Sequence, residues 1–540
     1  MSVTQRPPMP SFIPESAPFT IEQRTWLNGL FAGLFGLEEG ITPLSGADVA
    51  KLLPGFMDAG ALPSTDMDDS APWHDPAMVI ADRMKLAEGR PLPRRMMAAM
   101  AQQDCGQCGY NCHDYSQAIF AKKEERLNLC VPGGKETARM LKQLYEEIGG
   151  TPRPETVVSV ANKPEALPPA LGRSRDNPVC ATFLSRKLLN KPGSQKETWH
   201  IEIDLAGTEI DYAVGDSLGI FPGNDLALVD AVISALDAPA NFPIGGRTLR
   251  EVLTDGVSLS PAPDMLFQLI SYLTGGERRQ KAKALAAGMD PDGDAAVLDV
   301  LAALQKFPGV RPDPEAFIES LDALQPRVYS ISSSLKSNPG KVSLTVDAVR
   351  YEVEKRTRLG VASTFLAGRI TPGDTIKVYV QKAQHFSLPA DPKTPIIMVG
   401  PGTGVAPFRA FLHERQATKA PGRNWLFFGH QHSNYDFFYE DELVAMRSAG
   451  LLTRLTLAWS RDADEKIYVQ NRMREVGRDL WAWLNEGAHF YICGDATRMA
   501  KDVERTLIDI IAEHGVRKPA EAVNFLAELK KLGRYQTDVY

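Results

Sequence analysis

The sequence predicts a multidomain protein of mixed α/β and β class: a small helical segment, an antiparallel β-barrel with a helical insertion, then a parallel α/β domain. Three observations carry this. Four of the six cysteines crowd into residues 105–130, flanked by runs of helical periodicity. From residue 178 the texture turns to alternating or β-branched runs (CATFLSRKLL, ETWHIEIDL, KVSLTVDAVRY, DTIKVYVQ), broken over about 224–322 by helical patterns such as LALVDAVISAL. From 393 onward strand, glycine turn and helix repeat, with TPIIMVG, NWLFFGH, LTRLTLAWS and HFYICGD as short buried-strand candidates.

The chain has 540 residues, 44% of them hydrophobic, enough to bury several cores. A net charge of −7 excludes a basic nucleic-acid footprint. No run of about 18 apolar residues predicts a membrane span, and the opening residues lack the apolar core of a secretory signal, so a cytoplasmic address is expected. Residues 1–80 are expected to form an extended arm (1–19), a helix over 20–37 and a loop-rich stretch. That helix packs on a domain or docks a partner. Residues 81–150 carry the cysteines between a helical stretch around 78–100 and the amphipathic KETARMLKQLYEEIG. Residues 151–177, rich in proline and polar residues, read as a linker. The barrel is expected over 178–392 and the α/β domain over 393–540.

Cys105, Cys108, Cys112 and Cys130 form a C-x2-C-x3-C-x17-C arrangement. Three thiolates separated by glycines let the backbone curl round a cuboidal centre, and a remote fourth closes it, as a [4Fe–4S] cluster requires. Structural zinc, which more often takes two separated pairs, is the alternative. With its closing C-x-P-G-G the segment also resembles the short four-cysteine iron–sulfur module of electron-transfer subunits. Cys180 is expected in a strand core, without a role.

Arg327-Val328-Tyr329-Ser330 offers a guanidinium for a pyrophosphate, an aromatic face for an isoalloxazine ring and a small hydroxyl beside it. Alone, such a short motif is more safely read as a plain surface strand. Gly360-Val361-Ala362-Ser363 then precedes a helical stretch and presents N–H groups to phosphate, with Tyr351 as a further stacking candidate. In MVGPGTGVAPFRAF, Gly400, Gly402 and Gly404 let the backbone approach a pyrophosphate, although the spacing is not the common dinucleotide fingerprint. A tight βα turn is the plainer explanation. Ser460, Arg461 and Lys466 follow a buried strand where a hydroxyl and two cations suit the 2′-phosphate of NADP.

These segments, in this order over residues 177–540, resemble the diflavin reductase family, most closely the flavoprotein subunits of NADPH-dependent assimilatory sulfite reductases. The carrying blocks are RVYSISSS, VSLTVDAVRY, GVASTFL, GPGTGVAPFRAF, NWLFFG, DFFYEDEL, AWSRDADEKIYVQ, YICGDATRMAKDVE and RYQTDVY. The resemblance implies a ferredoxin–NADP-reductase-like module with FAD in the barrel and NADPH on the parallel domain. It assigns FAD contacts to Arg327, Val328, Tyr329, Ser330, Thr345, Val346, Asp347, Tyr351, Gly360, Val361, Ala362 and Ser363. NADP contacts fall to Gly402, Thr403, Ser460, Arg461, Lys466, Tyr468, Gln470 and Asp502. Cys493, Asp538 and Ser330 become candidates for assisting hydride transfer, and Tyr540 for stacking on the flavin. Without the resemblance, Cys493 reads as a buried structural cysteine.

One departure matters. Residues 1–150 lack the repeating βα texture and hydroxyl-rich phosphate loop of the family's FMN domain. The cysteine module is expected to replace it, with no FMN, and to carry single electrons outward, the linker letting it swing. The expected partner is a separate sirohaem sulfite reductase hemoprotein. Another redox protein, such as a ferredoxin, or a role in nitrate or nitrite reduction, is the alternative. A non-catalytic redox-sensing protein is the third reading.

Overall fold

The computed structural model describes residues 71–76, 78–103, 106, 108–148 and 171–540. The N-terminal arm, the helix expected at 20–37, Cys105 and residues 151–170 lie outside the described residues.

Four helices surround the described cysteines: α1 (Ile80–Leu86), α2 (Leu92–Ala99), α3 (Cys112–Phe120) and α4 (Gly134–Glu146). The helical stretch expected around 78–100 is broken in two. Gly89 takes a left-handed φ of +73° and Pro91 stands at the N-cap of α2. Asn111 caps α3, its side chain accepting from the Asp114 N–H at 2.5 Å. Met96, Met100, Tyr115, Ile119 and Leu141 pack with Cys108, Cys112 and Cys130 in one small core.

The antiparallel sheet comprises β1 (Val179–Leu188), β2 (Thr198–Asp204) and β3 (Ser217–Ile220), and, after an excursion, β6 (Arg327–Ser330), β7 (Lys341–Asp347) and β10 (Thr375–Gln381). The excursion is helical, with its own core around Val229, Leu253, Phe267, Leu304 and Phe317. It also holds the short pair β4 (Pro243–Ile244) and β5 (Arg247–Thr248). A hairpin of β8 (Arg350–Val353) and β9 (Arg356–Leu359) leaves the end of β7. Strand order is β6-β3-β10-β1-β2-β7. The barrel closes through an Ile331–Leu344 bridge and the Ser332 N–H to Ser343 carbonyl bond of 2.8 Å.

Two expectations are corrected here. Alternation along β1 turns Val179, Ala181 and Phe183 inward and leaves Cys180 exposed on the outer face. Residues 171–177, expected to be linker, are fixed to the barrel. The Val380 N–H donates to the Gly172 carbonyl at 2.8 Å, and a Cβ on Gly172 would stand 2.7 Å from Ile210.

The second sheet is wholly parallel: β11 (Ile396–Val399), β12 (Asn424–His430), β13 (Arg454–Trp459), β14 (His489–Gly494) and β15 (Tyr535–Val539), in the order β13-β12-β11-β14-β15. Its central strands are buried on both faces, as helix-covered parallel strands must be: Ile397 and Phe427 face one core, Met398 and Phe428 the other. The order reverses between β11 and β14, which opens a crevice at their carboxyl ends. No helix among the described residues is long and apolar enough to cross a membrane.

Candidate functional site

The barrel contributes β6. Its register on β3 pairs Ile220 with Arg327, Leu218 with Tyr329 and Ser217 with Ser330. Arg327 Nη1 donates to the carbonyls of Gln325 (2.7 Å) and Pro326 (3.2 Å), and among the described residues no carboxylate lies within ion-pair distance. Burial holds its pKa below the usual guanidinium value. A half-buried guanidinium without a carboxylate beside it is suited to phosphate. Burial also pushes the Tyr329 phenol up.

Gly360 caps the turn Val361–Thr364, which continues as a π-type turn to Arg369. A Cβ on Gly360 would sit 2.6 Å from Ser363 Oγ and 2.9 Å from Val349 Cβ. Ser363 Oγ in turn accepts from the Val349 N–H at 3.2 Å. Ala362 is buried, Tyr351 is exposed on β8, and Val361 is partly exposed. Thr345 Oγ lies 2.7 Å from the Tyr439 hydroxyl. Val346 faces the barrel core, and Asp347 accepts from Thr198 Oγ at 3.0 Å.

The nucleotide-domain side is built round the crevice. A Cβ on Gly404 would overlap the Cys493 carbonyl, and one on Gly400 would overlap the Gly404 carbonyl and stand 2.6 Å from the Phe408 ring. Gly404 lets the β11 turn pack against β14, and Gly400 lets the turn close on itself and on Phe408 of the following helix. Gly402 alone of the three, with φ +58°, has open space, its nearest neighbour being His430 Cδ2 at 3.8 Å. The plain tight-turn explanation thus accounts for two of the three glycines.

Barrel and sheet meet where Ser330 Oγ donates to Asp538 Oδ2 at 2.5 Å. Cys493 pairs in register with Asp538, and its Sγ lies 3.7 Å from the same oxygen. Burial pushes the Asp538 carboxyl up, opposed by the bonds from Ser330 and Cys493. Burial, then the Asp538 charge, pushes the Cys493 thiol well up, so it is held neutral. The Tyr540 N–H donates to the Gly494 carbonyl at 3.0 Å, and its hydroxyl lies 2.7 Å from Thr403 Oγ.

Ser460 N–H donates to the His430 carbonyl at 2.9 Å. Arg461 reaches across to the barrel, donating to Gln195 Oε1 at 2.5 Å. Lys466 and Tyr468 are exposed, and Gln470 Nε2 donates to Asp502 Oδ2 at 3.4 Å. Gln195 lies on the β1–β2 hairpin and sits in no sequence motif.

Cys108, Cys112 and Cys130 line one small, tight pocket with Tyr110, Tyr115 and Pro132. Burial raises the Cys130 thiol, opposed by the Ala101 and Gly133 N–H groups and by Arg83. A Cβ on Gly133 would stand 3.0 Å from Cys130 Sγ. Buried thiols on one pocket, with backbone donors to Cys130, have the chemistry of thiolate ligands. Among the described residues no three His, Cys, Asp or Glu side chains are grouped to hold a metal ion, and Cys105 is outside them.

Residues 172–365 match the FAD binding domain family and residues 398–505 the oxidoreductase NAD-binding domain family. Fold and site thus define a two-domain flavin- and pyridine-nucleotide-binding reductase of diflavin type. The sulfite reductase [NADPH] flavoprotein alpha-component of Bacillus subtilis is 40% identical over 417 residues, 76% of this chain and 68% of that protein. Those of Photorhabdus laumondii and Shigella dysenteriae are 43% and 42% identical over 371 residues, 68% of this chain. The chain belongs to the family of sulfite reductase flavoprotein alpha-components, and its match spans 61% of the length of the latter two relatives.

Proposed function

We propose that the chain is the NADPH-oxidising flavoprotein subunit of an assimilatory sulfite reductase, delivering electrons through a four-cysteine [4Fe–4S] site to a separate sirohaem hemoprotein. The carrying observation is the meeting of Ser330, Cys493 and Asp538 in the crevice between the barrel and the parallel sheet. FAD and an iron–sulfur cluster, when bound, would supply the two-electron and one-electron redox chemistry.

The chain's own residues bind and orient. Arg327 and the Gly360–Ser363 turn would hold flavin phosphates. Gly402 and Thr403 would receive the nicotinamide nucleotide's pyrophosphate, and Ser460, Arg461 and Lys466 its 2′-phosphate. Tyr540 would cover the flavin face. At the reacting centre Asp538 Oδ2 is a proton-holding atom whose affinity burial has raised, bonded to the Ser330 hydroxyl. The neutral Cys493 thiol beside it adds no charge to the crevice. Cys105, Cys108, Cys112 and Cys130 would hold the cluster.

The test mixes the purified chain with the hemoprotein and follows sulfite-dependent NADPH oxidation. Reduction of ferricyanide without sulfite turnover would favour a ferredoxin, nitrate or nitrite system. Failure to reduce even ferricyanide would favour a non-catalytic sensor.

A further inference from the structure

The cysteine module touches the rest of the chain along a polar seam. Arg139 grips Asp264 through two bonds of 2.7 Å each. Lys135 of the same helix donates to the Ala262 carbonyl. Asn128 donates to Asp322 at 3.0 Å, and Asn111 to Gln384 at 3.1 Å. Asp264 and Asp322 belong to the helical excursion, whereas Gln384 follows β10. Anchors on two separate parts of the host fix orientation as well as position. The basic residues lie on the module and the acidic ones on the host, so the two faces are complementary in charge.

The side of the module facing the barrel is the cysteine loop. Gly106 has φ +65°, and a Cβ there would stand 3.1 Å from the Gln381 carboxamide. Gly109 has φ +90° and would meet Arg175 at 3.5 Å. Both glycines take a left-handed backbone, and Gly106 also makes a close approach to the barrel. Strand register says where on the barrel this is. Gln381 pairs with Ser217, and Ser217 pairs with Ser330. The row is two strand spacings wide, about 10 Å, and ends at the hydroxyl bonded to Asp538.

We propose that residues 106 and 108–111 are docked beside Gln381, at one end of the Gln381–Ser217–Ser330 row, as a fixed intramolecular electron outlet, so that the module works in place and does not swing. This rests on the proposed reading of the cysteines as a cluster site. NADPH gives up a hydride, which carries both electrons and one proton; the electrons then pass singly across this contact toward the proposed hemoprotein acceptor while the proton is released to solvent, with no bond made or broken at the seam. Gln381, Gln384 and Arg139 are positioning residues.

The experiment uses the full-length protein with its native cofactors and the variants Arg139→Glu, Asp264→Arg and the double swap. Amide hydrogen exchange is read at 106–111 and 381–384, alongside NADPH–ferricyanide activity and the rate at which NADPH bleaches the cysteine-site absorbance. Each single variant should raise exchange in both segments about tenfold or more, slow bleaching by a similar factor, and leave ferricyanide reduction unchanged. The double swap should restore both. Gln384→Ala, a milder change, should act in the same direction. Exchange that is already unprotected in the parent, or that no variant alters, overturns the docked arrangement. Iron-free protein with a protected seam overturns the outlet through the cluster reading alone, and the two failures are thereby told apart.

Discussion

Asp299 is almost buried, at 4% side-chain exposure, yet it receives Arg356 and Arg358 from the β8–β9 hairpin and caps the helix Val300–Lys306 through the Ala302 N–H at 2.8 Å. Asp299→Ala leaves two arginines uncompensated and removes a cap. It should cost about 3 kcal/mol or more in denaturant unfolding and lower retained flavin, because the hairpin also carries Tyr351. His200 is a second test. Burial, then the nearby Arg409, lowers its pKa to about 4, with Glu202, Glu442 and Lys187 also facing it and its Nδ1 3.1 Å from the Tyr439 hydroxyl. A depressed folded-state pKa means the stabilisation is present above the unfolded value of 6.5 and is lost as pH falls toward about 4. Replacing His200 by Gln should flatten that fall in thermal unfolding between pH 7 and about 4. At the crevice, Asp538→Asn should slow NADPH–ferricyanide turnover about a hundredfold in stopped-flow measurement. Arg327 and Ser330 were legible because their motif is contiguous. Gln195 and Asp299 were not, since distant chain brings each to its partner. Cys180 was misplaced because composition marks a strand while only register says which way a side chain points.

The glycine turn after β11 separates two roles within one element. At Gly404 an added methyl collides with the backbone carbonyl of Cys493, which cannot give way without moving β14. At Gly402 it meets open space and only a left-handed φ opposes it. Gly404→Ala should therefore cost well over the ~1 kcal/mol expected at Gly402→Ala, as read by urea midpoints. The four central and outer strands with apolar runs were legible from texture. Strand β15 was not: Tyr535–Val539 is an edge strand with polar alternate positions, and its place depends on pairing with β14. The N-terminal half of the cysteine module shows the converse. Its periodicity continued through Gly89 and Pro91, and backbone preference at those two residues divided one expected helix into two.

For the whole molecule the cofactor reading predicts one FAD, no FMN and about four irons per chain, measured by flavin extraction and elemental analysis. Cys112→Ser should lose iron and electron delivery to the hemoprotein together; zinc in place of iron would sink this reading. The order of barrel, helical excursion and parallel sheet was legible because each part keeps its own hydrophobic period over many residues. The relation of the cysteine module to the barrel was not, since it rests on single polar pairs such as Arg139–Asp264, far apart in sequence. That seam has a kinetic consequence. A tethered carrier must diffuse between donor and acceptor on every turnover, so its rate falls with solvent viscosity and depends on tether length. A carrier already seated does neither: glycerol, or extra residues inserted between 151 and 170, should leave the internal transfer rate as it was.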